Sequence, residues 1–254
     1  MEQLRIYIGT VLLEAQRWNS KAPLTCRVSE WIERFSRAGF DGIELWQNHA
    51  ALATEEELTA LRQSRVPIPI FNSYASMDDA GLAGRQLATR FIREFGAKAV
   101  KFNVGKNPDT VEKELATAAA WSAEMQGVRL LCECHGGTAL QEPCEAARLL
   151  ANRPEIDVIV HAFSSTNLDD WMTRLNRRIV HVHSVCMDEK GNRVRLRTRA
   201  GFVRERLRQL RDSGFQGTFT IEFTEGVAKA PENPDALFAA ACDDMAFLRE
   251  GWES

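Results

Sequence analysis

Short apolar segments alternate with helical segments along the whole chain, about eight times in 254 residues. One helix separates each predicted strand from the next, which is typical of a parallel sheet covered by helices. Eight such units in about 250 residues favour a closed (β/α)8 barrel over an open sheet. The predicted strands are Leu4–Gly9, Ile43–Trp46, Val66–Phe71, Ala99–Val104, Arg129–Cys134, Ile156–His161, Ile179–His183 and Thr218–Phe223.

The helices between these strands are predicted from apolar residues at helical spacing. Thr54, followed by three glutamates, is a typical helix start. No glycine-rich fingerprint follows the first strand, which counts against a nucleotide-binding sheet. We predict an α/β chain with one TIM-barrel domain over residues 1–254. The predicted helices are Val28–Ala38, Thr54–Ser64, Ala80–Phe95, Thr110–Gln126, Pro143–Asn152, Asn167–Leu175, Val203–Ser213 and Asp235–Glu250.

Bulk composition excludes some classes of protein. A net charge of −3 gives no electrostatic argument for nucleic acid or an anionic membrane. No apolar run approaches the ~20 residues that span a bilayer, and the N-terminus does not resemble a secretory signal. Six scattered cysteines indicate reduced thiols. We expect a cytoplasmic protein that binds neither nucleic acid nor membrane, and a homo-oligomer is left open.

The fifth predicted strand carries the first candidate site residues. Alternate side chains of a strand face opposite sides, so Glu133 and His135 share one face while Cys132 and Cys134 face the helices. A carboxylate inside a barrel is costly to bury unless an ion meets it. Similar polar side chains occur where three other strands end, at His161, His183 and Glu222.

Barrel active sites lie at the carboxyl ends of the strands. Two carboxylates and two imidazoles from strands five to eight, Glu133, His161, His183 and Glu222, therefore form a candidate metal site. Mixed oxygen and nitrogen ligands suit one divalent ion, Mn²⁺ in the first place, with Co²⁺, Zn²⁺ or Fe²⁺ as alternatives. Mg²⁺ remains an alternative, although it prefers oxygen ligands alone.

Other polar residues near the predicted strand ends are candidates for substrate binding. His135 shares a face with Glu133, and Glu44 shares one with Trp46, which serves either as a sugar-stacking wall or as core. Lys106 follows a strand-end glycine and either meets an anionic substrate or is a solvated loop lysine.

Arginines alternate through the loop after the seventh strand, where many barrels bind phosphate. Arg199 is the member of this set that we predict to bind substrate, through an anionic or phosphate group, with an inter-subunit contact as the rival explanation. The alternating set is Arg193, Arg195, Arg197 and Arg199.

Four short motifs give the chain a family resemblance. The motifs occur in the order that is usual in the xylose-isomerase-like barrels, which include sugar-phosphate isomerases and epimerases, and the chain resembles this family. The resemblance implies that Glu133, His183 and Glu222 bind one metal ion and that the two glutamates are catalytic. The motifs are Gly39-Phe-Asp-Gly-Ile-Glu-Leu45, Leu131-Cys-Glu-Cys-His-Gly-Gly-Thr138, Ile179-Val-His-Val-His183 and Gly217-Thr-Phe-Thr-Ile-Glu222.

The chain departs from the family at strand six, where His161 stands in place of the usual aspartate, and at Val185-Cys186, where a basic–acidic pair is usual. His161 would then complete a site of two glutamates and two histidines. We expect a ligand there, with a hydrogen-bonded core histidine as the alternative.

The resemblance implies a metal-dependent isomerase or epimerase acting on a sugar, sugar phosphate or keto-sugar. A metal ion that chelates a carbonyl and the adjacent hydroxyl stabilises the enediolate formed by proton loss. One glutamate removes that proton and the other returns one. A lyase or dehydratase acting on a keto-sugar or polyol would begin in the same way. A non-catalytic binding subunit and an endonuclease-IV-like DNA repair enzyme are the remaining alternatives, the latter disfavoured by five histidines and a negative charge.

Overall fold

Eight parallel strands form a closed barrel in the computed structural model, which describes residues 4–19, 22–164, 167–229 and 231–253. Each strand pairs with the next in the sequence, and β8 pairs with β1 to close the ring. The predicted barrel is therefore confirmed. The strands are β1 (Ile6–Gly9), β2 (Gly42–Trp46), β3 (Ile70–Asn72), β4 (Ala99–Phe102), β5 (Arg129–Cys134), β6 (Ile156–Val160), β7 (Ile179–His183) and β8 (Thr218–Ile221).

Helices cover the outside of the barrel, and all eight predicted helices are present with shifts of a few residues at their ends. A short helix directly after β2 was not predicted. No helix within the described ranges is both long enough and apolar enough to cross a bilayer. The helices are α1 (Ile32–Ala38), α2 (Gln47–Ala51), α3 (Glu55–Arg62), α4 (Leu82–Phe95), α5 (Pro108–Glu124), α6 (Pro143–Leu150), α7 (Leu168–Leu175), α8 (Ala200–Asp212) and α9 (Pro234–Glu253).

Local sequence explains where several helices begin and end. The Thr54 hydroxyl accepts a hydrogen bond from the Glu57 amide at 3.3 Å and caps α3. Asn107 caps α5 in the same way, with Pro108 in the first turn, where its missing N–H costs nothing. Gly39 ends α1 at a φ of 88°, a left-handed conformation that glycine adopts without strain.

The third strand is shorter than predicted, and its two prolines are the reason. Pro67 and Pro69 carry no N–H, so they cannot donate to neighbouring strands. Their carbonyls still accept, from Ile43 N at 2.9 Å and from Ala99 N at 3.0 Å. The segment before Ile70 therefore lies along the barrel without completing a strand ladder.

The barrel interior changes from apolar to polar along the strands. A buried apolar layer fills the end where the strands begin. On β4 and β5 the next inward positions, Lys101 and Glu133, are charged. Cys132 and Cys134 are buried on the outer face of β5, as alternation predicts. Burial of each larger member of the apolar layer stabilises the fold by about 1.5–3 kcal/mol. The layer consists of Tyr7, Ile70, Ala99, Leu131 and Ile159.

Candidate active site

The ends of β5 to β8 bring four ligand-type side chains together. Glu133 Oε1 lies 2.9 Å from His161 Nε2 and 2.9 Å from His183 Nδ1. Glu222 Oε2 lies 3.3 Å from the same His183 nitrogen. One ligand atom from each of the four residues lies within 4.8 Å of the other three. We call these four residues the upper layer.

The upper layer has the donor chemistry of a divalent-cation site. Two carboxylates and two imidazoles suit Mn²⁺, Fe²⁺, Co²⁺ or Zn²⁺. Glu222 is 2 % exposed, yet its Oε2 makes no hydrogen bond within the described part of the chain. A buried carboxylate oxygen without a donor is unusual, so the residues present are compatible with a cation among them. His161 occupies the position between Glu133 and His183 in strand order.

A second group of polar side chains lies deeper in the barrel. Glu44 Oε2 lies 3.1 Å from His183 Nε2 and 3.4 Å from His181 Nε2, and Asn72 donates to its other oxygen at 2.7 Å. His181 is also hydrogen-bonded to Thr220 at 2.9 Å. We call this group the lower layer; its members are Glu44, Asn72, His181, Thr218 and Thr220.

Four of the five members of the lower layer are buried, and Thr218 is partly exposed. Glu44 and His181 have no exposed surface. Glu44 was predicted to bind substrate, but it does not line the cavity described below, because it lies beneath His183. Its contact with His183 Nε2 instead leaves Nδ1 directed at the upper-layer carboxylates, an arrangement in which an outer carboxylate orients a ligand histidine.

Charge pairing explains the ionisation of both layers. Burial alone would raise the pKa of Glu133, but Lys101 and the two histidines lower it well below its ordinary value. Burial would lower the pKa of His183, but Glu222, Glu44 and Glu133 raise it well above its ordinary value. In the absence of a cation, His183 is therefore protonated among three carboxylates.

The lower layer has two members that titrate, Glu44 and His181. Burial would raise the pKa of Glu44, but the neighbouring His183 and His181 lower it. Burial lowers the pKa of His181, only partly offset by Glu44. His181 is therefore neutral, while His183 two residues away is charged.

Lys101 is a functional residue that the sequence analysis missed. It lies on β4, has no exposed surface, and its Nζ is 2.6 Å from Glu133 Oε2. Burial would lower the pKa of Lys101, but the Glu133 carboxylate raises it. Asn103 donates to the same Glu133 oxygen at 2.9 Å. Lys101 and Asn103 together occupy Oε2, which leaves Oε1 to the histidines.

A cavity of about 680 Å³ opens above the upper layer. Glu133, His161 and Glu222 form part of its lining. Aromatic side chains form much of the wall, and two of them are largely exposed, Trp18 at 62 % and Tyr74 at 49 %. Aromatic faces next to polar groups are suited to the mixed apolar and hydroxylated surface of a sugar.

The segment that carries Trp18 is held by a buried carboxylate. Glu14 accepts hydrogen bonds from Thr25 N, the Thr25 hydroxyl and Cys26 N. Burial would raise the pKa of Glu14, but His49 and these donors lower it to about 2. Glu14 is therefore ionised at neutral pH and holds Thr25 and Cys26 close to the start of the segment.

Of the predicted substrate-binding residues, only His135 lines this cavity. Its Nε2 lies 3.1 Å from Asn103 Nδ2. Trp46 is buried and packs edge-on against Tyr74 and His49. Lys106 and Arg199 do not belong to the cavity lining.

The Arg199 guanidinium donates to the Met187 carbonyl at 2.8 Å. Arg193 reaches the cavity instead. Alternation along β4, with Ala99, Lys101 and Asn103 on one face, was a usable signal for Lys101. No sequence signal separated Arg193 from the neighbouring arginines, because the shape of their loop decides the direction of each side chain.

Solved structures with the same architecture were compared with this chain. 3-Keto-D-glucoside 4-epimerase from E. coli, in its apo form, is 16% identical with a TM-score of 0.68 and covers 98% of this chain and 100% of its own. A xylose isomerase domain protein from Planctomyces limnophilus is 13% identical, with a TM-score of 0.63, covering 97% and 94%. A Thermus thermophilus protein soaked with ZnCl2 is 19% identical, with a TM-score of 0.57, covering 98% and 97%.

These identities show a shared fold, and the sequence comparison with a family model gives the family. A search of curated protein sequences finds no match to this chain. Residues 32–250 match the model described as xylose isomerase-like TIM barrel, which spans most of the chain. The upper layer lies at the carboxyl ends of the strands, where barrels of this kind carry their active sites. This chain belongs to the xylose isomerase-like TIM barrel family.

Proposed function

We propose that this protein is a metal-dependent isomerase or epimerase of a sugar or keto-sugar, and that the upper layer is its active site. The observation that carries this proposal is the convergence of two glutamates and two histidines on the floor of one aromatic-walled cavity. The keto-sugar epimerase among the solved structures supports it. A small sugar is the partner that we propose, and a cytoplasmic location stays a prediction.

Glu133, His161, His183 and Glu222 would hold one divalent cation. When bound, such an ion would polarise a substrate carbonyl and thereby acidify the neighbouring C–H. Mn²⁺ is our first choice, because the donors combine oxygen and nitrogen.

The two glutamates have different surroundings, which suggests different roles. Both Glu133 oxygens accept hydrogen bonds, Oε1 from the histidines and Oε2 from Asn103, next to Lys101. Glu222 Oε2 accepts none from the described residues. We assign the first proton abstraction to Glu222, with Oε2 directed toward the cation and its other oxygen left to take the proton. Glu133 would return a proton drawn from solvent to the other side of the substrate, and Glu222 would release its own proton to solvent, so that the protons balance.

Lys101 supports this chemistry by fixing Glu133. A protonated lysine beside a carboxylate is a poor nucleophile, so its raised pKa disfavours a Schiff-base mechanism. We therefore assign Lys101 the role of holding Glu133 in place.

The test is exchange of substrate hydrogen with solvent. The purified protein is reconstituted with Mn²⁺ and incubated in D₂O with a panel of ketoses and keto-glycosides, and products are analysed by NMR and mass spectrometry. We expect deuterium at the carbon next to the carbonyl, with an epimer or isomer accumulating. Loss of a hydroxyl group would identify a lyase or dehydratase, and no exchange with any compound would contradict the proposal.

Glu222→Gln provides the decisive comparison. We expect exchange to fall by at least about 1,000-fold, because the variant loses both the proposed base and one of the proposed ligands of the cation. Glu225→Gln is the matched control, since Glu225 is exposed, lies three residues away and does not line the cavity. Equal rates in both variants would remove Glu222 from the mechanism.

A further inference from the structure

Arg193 differs from every other arginine of the loop that follows β7. The loop forms a small hairpin in which Met187 and Arg193 are paired antiparallel. Val194 N donates to Cys186 O at 3.0 Å, and Asp188 accepts from the Asn192 amide at 2.8 Å to close the turn. This hairpin directs Arg193 into the cavity that contains Glu222.

The neighbouring arginines each contact other residues of this chain. Arg195 forms ion pairs with Asp243 and Glu225, and Arg197 with Glu250. Arg199 donates to a backbone carbonyl. In the described part of the chain, Arg193 alone of these four forms neither a hydrogen bond nor an ion pair, and its Nε is buried without an acceptor.

The positive charge of Arg193 is also not cancelled by the Arg17–Glu232 ion pair, whose two charges act on it in opposite directions. Arg17 binds both oxygens of Glu232, at 2.8 Å and 2.6 Å, and these two charges neutralise each other. The Arg193 guanidinium lies 5.1 Å from the centre of the Phe223 ring, which holds it against the cavity wall. Burial lowers the pKa of Arg193, and Glu222 acts in the opposite direction.

Glu222 is the carboxylate that would otherwise pair with Arg193. In the proposed function, Glu222 is shared with a divalent cation, so the guanidinium would keep its charge for a ligand. A half-buried guanidinium with unused donors is suited to an oxyanion, because carboxylate and phosphate oxygens accept from its planar fork.

We propose that Arg193 binds an anionic group, a carboxylate or a phosphate, carried by the sugar that occupies this cavity. The inference rests on the proposed function in taking the ligand to be a sugar and Glu222 to be shared with a divalent cation. The proposed substrate is therefore a sugar or keto-sugar that carries a carboxylate or a phosphate. The anion site lies on the same cavity wall as Phe223, beside the carboxylates of the upper layer.

The first experiment measures simple anions, so that it does not depend on the right sugar. The melting temperature of the Mn²⁺-loaded protein is recorded with inorganic phosphate and, separately, with glycerate, each against chloride at constant ionic strength. We expect at least one of the two anions to raise the melting temperature of the wild type, and Arg193→Gln to abolish that rise.

Arg195→Gln is the matched control. It removes the same charge two residues along the same chain segment, but Arg195 is paired with Asp243 and Glu225 and does not line the cavity. We expect this variant to keep the anion-dependent rise even if its own melting temperature is lower. A rise that persists in Arg193→Gln, or no rise in the wild type, would overturn the proposal.

The second experiment identifies which anion the substrate carries. Binding of D-fructose, D-fructuronate and D-fructose 6-phosphate to the Mn²⁺-loaded protein is measured by calorimetry. We expect one acidic ketose to bind at least about tenfold more tightly than fructose, and Arg193→Gln to reduce that preference to about twofold or less. Preference for the uronate indicates a carboxylate, and preference for the phosphate ester indicates a phosphate.

The outcome also separates this proposal from the proposed function. Binding does not require proton exchange, so an Arg193-dependent preference together with no deuterium exchange would support the anion site and contradict the isomerase. Deuterium exchange on neutral ketoses, with no binding preference that depends on Arg193, would support the isomerase or epimerase and contradict the anion site.

Discussion

The upper and lower layers both combine glutamate with histidine and are in contact through His183 of the upper layer, yet their surroundings differ. The upper layer faces the cavity and contains a buried glutamate oxygen without a hydrogen bond among the described residues. In the lower layer, Glu44 is enclosed and bonded to His183 and Asn72. Solvent access and unsatisfied oxygens, more than residue type, distinguish a reactive site from a supporting one.

His183 connects the two layers through its two ring nitrogens. Nε2 contacts Glu44 below and Nδ1 contacts Glu133 and Glu222 above. The lower layer therefore fixes the orientation of a residue whose chemistry belongs to the upper layer. Substitutions in and around the two layers should therefore have different effects on stability, metal binding and proton exchange. Three predictions test that difference.

The largest expected effect concerns the ion pair that supports the upper layer. Lys101→Met leaves the buried Glu133 carboxylate without its cation, and breaking a buried pair from one side costs about 3–5 kcal/mol. We expect the free energy of unfolding of the metal-free protein, measured with urea, to fall by about 3 kcal/mol.

Lys98→Met is the matched control for this variant. Lys98 precedes the same strand but is exposed, so its replacement should change the free energy of unfolding by less than about 0.5 kcal/mol. The double variant Lys101→Met/Glu133→Gln should recover part of the loss, because no unpaired charge remains. A loss in Lys101→Met no greater than that in Lys98→Met would show that the ion pair does not support the layer.

An intermediate effect is expected from Glu44→Gln in the lower layer. The variant loses the charge that orients His183, and changes to such outer carboxylates typically weaken metal binding by about 10- to 100-fold. Affinity for Mn²⁺ is measured by calorimetry. At saturating Mn²⁺ we expect proton exchange to continue, in contrast to Glu222→Gln. Complete loss of exchange at saturation would place Glu44 among the reactive groups.

The smallest expected effect is the pH dependence of stability. The raised pKa of His183 stabilises the metal-free protein fully below its ordinary value of 6.5, and that stability is lost as the pH rises through the value in the folded protein. The lowered pKa of His181 acts only below 6.5, where stability rises with pH. Above pH 6.5, stability therefore falls with pH through His183, while His181 contributes no pH dependence.

Asp244 adds a further pH dependence to the stability of the protein, and this contribution does not depend on the metal. Burial raises its pKa to about 7, so its stabilising contribution is lost as the pH rises from its ordinary value of 3.8 through about 7. Above about pH 7, where the Asp244 contribution ends, we expect the stability of the protein in EDTA to keep falling as the pH rises, and that of the Mn²⁺-loaded protein to stay level, since a bound cation would take the place of the His183 proton. Equal slopes in urea titrations with and without Mn²⁺ would contradict the assignment of His183.

The sequence predicted the barrel well because each strand is marked by an apolar run and each helix by its periodicity. Alternation along β5 separated Glu133 from Cys132 and Cys134, and the structure has the same arrangement. The length of β3 was overestimated, because two prolines remove the donors that a strand needs.

The candidate site was predicted less completely than the fold. The four upper-layer residues end consecutive strands, so strand order alone brings them together. Glu44 was predicted at the mouth, but it lies below His183, because depth along the barrel depends on strand register. Lys101 was missed because a lysine is rarely buried unless it is paired, and its partner Glu133 lies on another strand.

The most direct test of the account is the metal content of the purified protein after reconstitution with Mn²⁺ and removal of free metal. Wild type, Glu222→Gln and Glu225→Gln are measured side by side by elemental analysis. We expect about one equivalent in wild type and in Glu225→Gln, and less than about 0.1 equivalent in Glu222→Gln. No bound metal in wild type, or equal content in all three proteins, would contradict the claim that the upper layer is a metal centre.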